Sequence, residues 1–203
     1  AKSDLFSSAP VAGRVLTTPH VRAELMDYAP DGVQAGKPLW LGLHLQHQAG
    51  WHTYWKNPGD SGLATQLHWT LPAGVTAGAI QWPTPQKIPV ANLANYGYEG
   101  AVLLTVPVTV AGDFQSASSE FVIRLKAQWL ACKTECIPEE GEFLLSMPVR
   151  GATALSRPVF IEFAAREPKP HTGAATYTPS DRSIKLSVAE LPAAWQGKRL
   201  ELF

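Results

Sequence analysis

Cysteine, methionine and net charge are all in short supply. Two cysteines and two methionines occur in 203 residues, and 17 Lys plus Arg balance 17 Asp plus Glu. Zero net charge argues against nucleic acid or an anionic membrane surface as a partner. Two cysteines without a clustered histidine pair argue against zinc. No methionine-rich segment supports copper transport. No apolar run approaches the roughly 18 residues of a membrane span, so direct membrane insertion of this segment is not expected. Ala1-Lys2-Ser3-Asp4 opens without an apolar h-region, which fits either a cytosolic protein or the processed form of an exported one. Gly-x-Ser-x-Gly, a phosphate-cradling glycine loop and His-Glu-x-x-His are all absent. No cofactor is expected.

What is abundant points to an all-β protein. Seventeen prolines, sixteen glycines and seven tryptophans favour a loop-rich sheet fold over a helical one. Leu39, Leu41, Leu43 and Leu45 alternate with Trp40, Gly42, His44 and Gln46, the period of a half-buried strand. Val102 to Val110, Phe121 to Trp129, Phe143 to Val149 and Val21 to Leu25 repeat that pattern. Turn signals such as Asp31-Gly32, Pro72-Ala73-Gly74 and Ala111-Gly112-Asp113 separate them. Pro107 inside its run predicts an edge strand or a bulge. About seven short strands at this spacing predict a β-sandwich. One helix is expected after Ser156, with Pro158 in its first turn, Phe160, Phe163 and Ala164 on one face, and Pro168 as its stop. Residues 1–168 should form the sandwich. Residues 169–203 should be a linker (Glu167 to Thr178) and the start of a second β-domain. There Ile184, Leu186 and Val188 alternate, and Arg199 to Phe203 reads as a strand cut short.

The chemistry is expected at Cys132 and Cys136. They fall between two predicted strands, in or beside the loop of a hairpin. A disulfide there would restrict the unfolded chain by only about 2 kcal/mol, because the ring is small. Such a bond can be broken and remade at little cost. An inert structural bridge is the rival reading. A third is a Cu(I) site, since soft thiolates select that ion; His52 would then be the best candidate for a further ligand among His20, His44, His47, His52, His68 and His171. The segment Asn95-Tyr96-Gly97-Tyr98-Glu99-Gly100 is a poor strand and a good flexible loop. Its tyrosines could shield a reactive group from water. Trp51, Trp69 and Trp82 are read as sandwich filling. No helix N-terminus lies beside Cys132 to activate a thiolate. Lys133 would lower the thiol pKa, while Glu135, Glu139 and Glu140, taken as solvated carboxylates, would oppose that.

Four motifs in order resemble one family. They are Trp51-His52-Thr53-Tyr54-Trp55-Lys56-Asn57-Pro58-Gly59-Asp60-Ser61-Gly62, Trp82-Pro83-Thr84-Pro85, Tyr96-Gly97-Tyr98-Glu99 and Trp129-Leu130-Ala131-Cys132 through Cys136-Ile137-Pro138. Over roughly residues 15 to 165 the chain is similar to the N-terminal periplasmic region of the DsbD/ScsB membrane thiol:disulfide reductases. The short cysteine spacing and the Tyr-Gly-Tyr favour the ScsB branch, which its name links to copper tolerance. The resemblance implies an immunoglobulin-like fold and a redox pair of Cys132 and Cys136. It also implies a cap loop at Asn95, Tyr96, Gly97, Tyr98 and Glu99; Tyr54, Lys133 and Glu135 are expected near the pair. It implies a periplasmic module of a protein-disulfide reductase. The expected partners are thioredoxin-like periplasmic proteins, together with the membrane domain and C-terminal thioredoxin-like domain of a longer chain.

Overall fold

The computed structural model describes residues 11–116 and 118–201. The described chain divides after Glu167 into two compact units. In the first unit the strands are β1 (Val11–Ala12), β2 (Val15–Thr17), β3 (Val21–Tyr28), β4 (Leu39–His47), β5 (His52–Gly59), β6 (Gln66–Thr70), β7 (Val75–Ala77), β8 (Gln86–Val90), β9 (Leu93–Glu99), β10 (Ala101–Val110), β11 (Glu120–Cys132) and β12 (Cys136–Pro148). They form two sheets. One runs β1-β12-β11-β5-β9-β8 with β6 also paired to β11, and the other runs β2-β3-β4-β10-β7.

The expected alternation is what lets the sheets face each other. Along β4 the odd leucines point inward, and along β10 Val102, Leu104, Val106, Val108 and Val110 do the same. Phe121, Ile123, Leu125, Ala127, Trp129 and Ala131 line the inner face of β11. Phe143, Leu145 and Met147 continue that layer from β12, and all of these residues except Val106 belong to one core cluster. Trp51, Trp69 and Trp82 are partly buried and pack against this core, as expected. The fold is an immunoglobulin-like β-sandwich, the class read from the sequence. Pro107 lies on the next-to-edge strand. Pairing with the short edge strand β7 stops at Val108, and Pro107 contributes only its carbonyl, which accepts the Gly78 N–H at 2.8 Å.

Helix α1 (Arg157–Ala164) covers the outer face of the second sheet. Phe160 and Phe163 join Met26 and Leu103 in a small second core. Gly42 makes room for it, since a Cβ there would stand 2.8 Å from Leu103 Cδ1 and 3.3 Å from Phe160 Cζ. Burying each phenylalanine is worth about 1.5–3 kcal/mol, more than one turn of exposed helix supplies. Two details depart from expectation. Ser156 has helical ψ and makes no side-chain cap bond, and Ala164 is exposed rather than on the buried face. The helix also ends at Ala164, before Pro168, through bonds from Arg166 N–H and Glu167 N–H to Phe163 and Ala164.

The second unit is a hairpin of β13 (Ala175–Pro179) and β14 (Ile184–Val188), followed by a 3-10 turn at Ala193–Trp195. Part of the stretch read as linker is therefore strand. Arg199 to Glu201 has no regular structure, and the rest of that expected strand, Leu202 and Phe203, lies outside the described residues, as does the Ala1 to Asp4 opening. No described helix is long and apolar enough to cross a membrane.

Candidate functional site

Strands β11 and β12 pair without a slip from Glu120 opposite Pro148 to Cys132 opposite Cys136. Side chains alternate across a strand, so even-numbered residues of β11 face outward while the odd ones fill the core. Cys132 and Cys136 are thus direct cross-strand partners on the outer face, at the tip of the hairpin. Their Cα atoms are 4.1 Å apart and their sulfurs are bonded. The three-residue turn Lys133-Thr134-Glu135 is closed by Lys133 N–H donating to the Glu135 carbonyl at 3.0 Å. The two sulfurs differ in access: Cys132 is 2% exposed, whereas Cys136 is exposed.

Strand β5 lies beside β11 in the sheet. Cys132 stands opposite His52, which places His52 and Tyr54 on the same outer face. Tyr54 is 1% exposed, and its Oη lies 3.8 Å from Cys136 Sγ and 3.3 Å from His52 Nε2. The rings of His52 and Tyr54 meet edge to face at 5.1 Å. Burial pushes the Tyr54 phenol up, and a hydrogen bond from the Ser61 side chain pulls it back. Burial holds the His52 imidazole below its ordinary range, against the pull of Glu99.

The segment after Tyr54 arches out of the sheet. Tyr54 pairs with Gly97 and Gly59 with Asn95, so four residues of β5 oppose one of β9. The arch folds back over the Tyr54 ring. Gly62 has φ +103°, and a Cβ there would lie 2.3 Å from Tyr54 Cε1, so only glycine fits. Asn95 fastens the arch: its Oδ1 accepts from Ser61 N–H and from Ser61 Oγ–H, each at 3.1 Å. Asp60 Oδ2 accepts from Ala94 N–H at 2.7 Å.

This geometry corrects the reading of residues 95–99. They are strand rather than loop, paired to β5 on one side and β8 on the other. Tyr98 is opposite the inward-facing Thr53, is 5% exposed in the core, and donates its hydroxyl to the Pro83 carbonyl at 2.7 Å. Tyr96 shares that parity and packs partly buried against the same core. Neither tyrosine is placed to cover the outer-face sulfurs. Asn95, Gly97 and Glu99 have the outward parity. Gly97 is buried where a Cβ would strike the Thr53 carbonyl at 2.1 Å, and Glu99 is exposed opposite His52.

The charged neighbours also differ from expectation. The Lys133 ammonium reaches the Ala49 carbonyl at 3.4 Å, and Glu135 is exposed in the turn. Glu139 is not a solvated carboxylate. It shares the inward parity of Phe143 and Leu145, is 8% exposed, and accepts from Trp129 Nε1 at 3.0 Å, Thr18 Oγ1 at 2.6 Å and His20 N–H at 3.3 Å. His20 Nδ1 lies 2.7 Å from the same carboxylate, and the His20 ring stacks on Trp51 at 3.7 Å. Among the described residues no three His, Cys, Asp or Glu side chains converge as a metal site would require.

The structure places Tyr54 beside the bonded cysteines, and it adds the contacts of Ser61, Asn95 and Glu139, which the sequence reading did not give. Parity was the available signal: Tyr96 and Tyr98 are two apart and must share a face, and Glu139 is an even number of residues from Phe143.

Comparison with known proteins gives the family and the fold. Residues 25–148 match the N-terminal domain family of the thiol:disulfide interchange protein DsbD. No curated protein matches the chain. Among solved structures, the N-terminal periplasmic domain of ScsB from Proteus mirabilis aligns at a TM-score of 0.62 with 21% identity, over 86% of this chain and 67% of that one. The reduced N-terminal domain of DsbD from Neisseria meningitidis aligns at a TM-score of 0.31 with 11% identity, over 64% of this chain and 87% of that one. A matched segment spanning more than half the chain, with the bonded cysteine pair inside it, makes this protein a member of the DsbD N-terminal domain family and a thiol–disulfide exchange module.

Proposed function

We propose that this module relays electrons in the periplasm. A membrane-embedded reductase in the longer chain would reduce the Cys132–Cys136 disulfide, and the dithiol would then reduce thioredoxin-like partner proteins. The observation that carries this reading is the asymmetry of the pair. Exchange needs one sulfur that a partner thiolate can reach and one that leaves and later resolves the mixed disulfide. Cys136 is exposed at the hairpin tip and Cys132 is buried, paired with His52 of the adjacent strand β5, so they suit those two roles. The small ring adds little stability, so opening it leaves the sandwich intact. The second unit extends the module as the first hairpin of another β-domain.

Single-cysteine variants test the reading. Cys132→Ala should leave Cys136 free to hold a thioredoxin-like partner in a stable mixed disulfide, visible on a non-reducing gel. Cys136→Ala should trap far less. If neither variant traps such a partner, and mild reductant leaves the native disulfide intact, the bond is a structural bridge and the relay is wrong.

A further inference from the structure

We propose that Tyr54 is the hydrogen-bond donor to the Cys136 thiolate, and that Asn95 is a positioning residue that holds it there through Ser61. This rests on the exchange function proposed above and names how the same site controls its outgoing sulfur. In the loading half-reaction, a thiolate of the membrane-embedded reductase attacks Cys136 Sγ and the Cys132–Cys136 bond breaks. Cys132 departs with the electron pair, and a mixed disulfide remains on Cys136. The reductase's second thiolate then attacks the reductase sulfur in that bond. A disulfide forms within the reductase, and Cys136 is released carrying the electron pair as a thiolate. The reductase dithiol is oxidised and the cysteine pair of this chain is reduced, ready to pass the electrons to a thioredoxin-like partner. The developing charge on Cys136 Sγ is what the site must stabilise.

The donor is already in place. Tyr54 Oη is 3.8 Å from Cys136 Sγ, within range of an O–H to sulfur bond. A thiolate is a stronger acceptor than a disulfide sulfur, because hydrogen bonds to ionised groups are shorter and roughly twice as strong. The phenol is buried, so water cannot replace it without opening the arch. Two groups can donate to the back of the phenol oxygen as it turns to the sulfur. Ser61 Oγ–H can swing from Asn95 to Tyr54, and His52 Nε2 lies 3.3 Å away. Donation into Oη polarises its own O–H and strengthens the bond to sulfur.

The rest of the apparatus fixes the angle. Asn95 is 1% exposed and takes both the N–H and the O–H of Ser61. The next residue, Gly62, lies against the Tyr54 ring with no room for a Cβ. Releasing Asn95 therefore releases the wall behind Tyr54. The other titratable or charged groups around Cys136 are His52 on β5, Glu99 opposite it on β9, and Lys133 and Glu135 in the turn.

The test is the pH dependence of alkylation at Cys136 in the reduced full chain, read by mass spectrometry of the Cys136 peptide. Tyr54→Phe keeps the ring and removes the hydroxyl. It should move the midpoint up by about one pH unit, equivalent to about tenfold less thiolate near neutrality. Asn95→Ala and, at the half-buried Ser61, Ser61→Ala should each move it the same way by a smaller amount. In a Tyr54→Phe background both should add nothing, because they act through the hydroxyl. Unchanged midpoints in Tyr54→Phe overturn the assignment of the donor. Additive shifts from Asn95→Ala or Ser61→Ala, or a lower melting temperature with no shift, overturn the positioning role. Trapping of a partner by Cys132→Ala is scored separately, so a module that exchanges normally but titrates without Tyr54 refutes this proposal alone. One that titrates as expected but traps nothing refutes the relay.

Discussion

Two hairpins in this chain carry the same alternating pattern and meet different surroundings. In β11–β12 every inward residue from Phe121 to Ala131 is covered by the opposite sheet. In β13–β14 the cross-strand pairs Ala175 with Val188, Tyr177 with Leu186 and Pro179 with Ile184 put an apolar set on one face. Thr176, Thr178, Lys185 and Ser187 make the other face polar. Yet Tyr177 is 72%, Ile184 66% and Leu186 47% exposed. A turn closes the second hairpin well enough, with Ser180 N–H donating to the Ser183 carbonyl at 2.8 Å. Alternation thus specifies that a strand forms and which way its side chains point. It does not supply the cover, and an uncovered two-stranded hairpin is marginal in water.

The sharpest test of that contrast is one substitution made in both hairpins. Leu125→Ala, at a 1% exposed position of β11, should cost about 2–5 kcal/mol of unfolding free energy in denaturant titration. Leu186→Ala should stay within about 0.5 kcal/mol. Equal costs would mean that the second hairpin's apolar face is buried as deeply as the first's.

Mild acid should separate the units next. Burial holds His47 down at about 4 from its ordinary 6.5, with its Nε2 against Thr53 Oγ1 and its Nδ1 against the Gly100 carbonyl. Burial also lowers His44 and His52. The folded form then binds protons less readily than the unfolded chain. Stability is therefore full above about pH 6.5 and falls as pH drops from there through about 4. For His47 the loss is up to roughly 3 kcal/mol. All three histidines lie in the first unit, so acid melting should fall for the sandwich signal of Trp55 and Trp129. A pH-independent melting temperature between 7 and 4.5 would show that these histidines are no more buried than in the unfolded chain.

How much of this was legible follows from the same contrast. The leucines of β4, the valines of β10 and the aromatics of β11 were readable because a two-residue period over eight or more residues has no other common cause. The redox pair was readable because the strands flanking it were. The arch was not. Trp55 to Gly62 contains the turn residues of an ordinary loop, and its fold over Tyr54 depends on Asn95, more than thirty residues away. The strand nature of Asn95 to Glu99 was hidden by Gly97, which local propensity counts against a strand. Here glycine is required by the close approach of the Thr53 carbonyl. Glu139 was misread because a glutamate near a turn is usually solvated. Its inward parity, set by the register from Met147 and Leu145 backward, outweighs that expectation once four hydrogen-bonding partners surround the carboxylate.

The smallest expected effect is the removal of the second unit. Among the described residues, those that make the two cores of the first unit end at Phe163. The disulfide, Tyr54, His52, Ser61 and Asn95 all lie before residue 137. Pro168 and Pro170 deny two backbone donors and favour an extended chain, which suits a connection between separately folding parts. A chain ending after Glu167 should therefore keep its melting free energy within about 0.5 kcal/mol and alkylate at Cys136 at the unaltered rate once reduced. Glu167 itself must stay, because its carboxylate accepts from Thr105 Oγ1 at 3.4 Å. If the shortened chain loses cooperative melting, residues beyond 167 complete the sandwich. The exposed apolar face of β13–β14 would then mark part of the first domain rather than the beginning of a second.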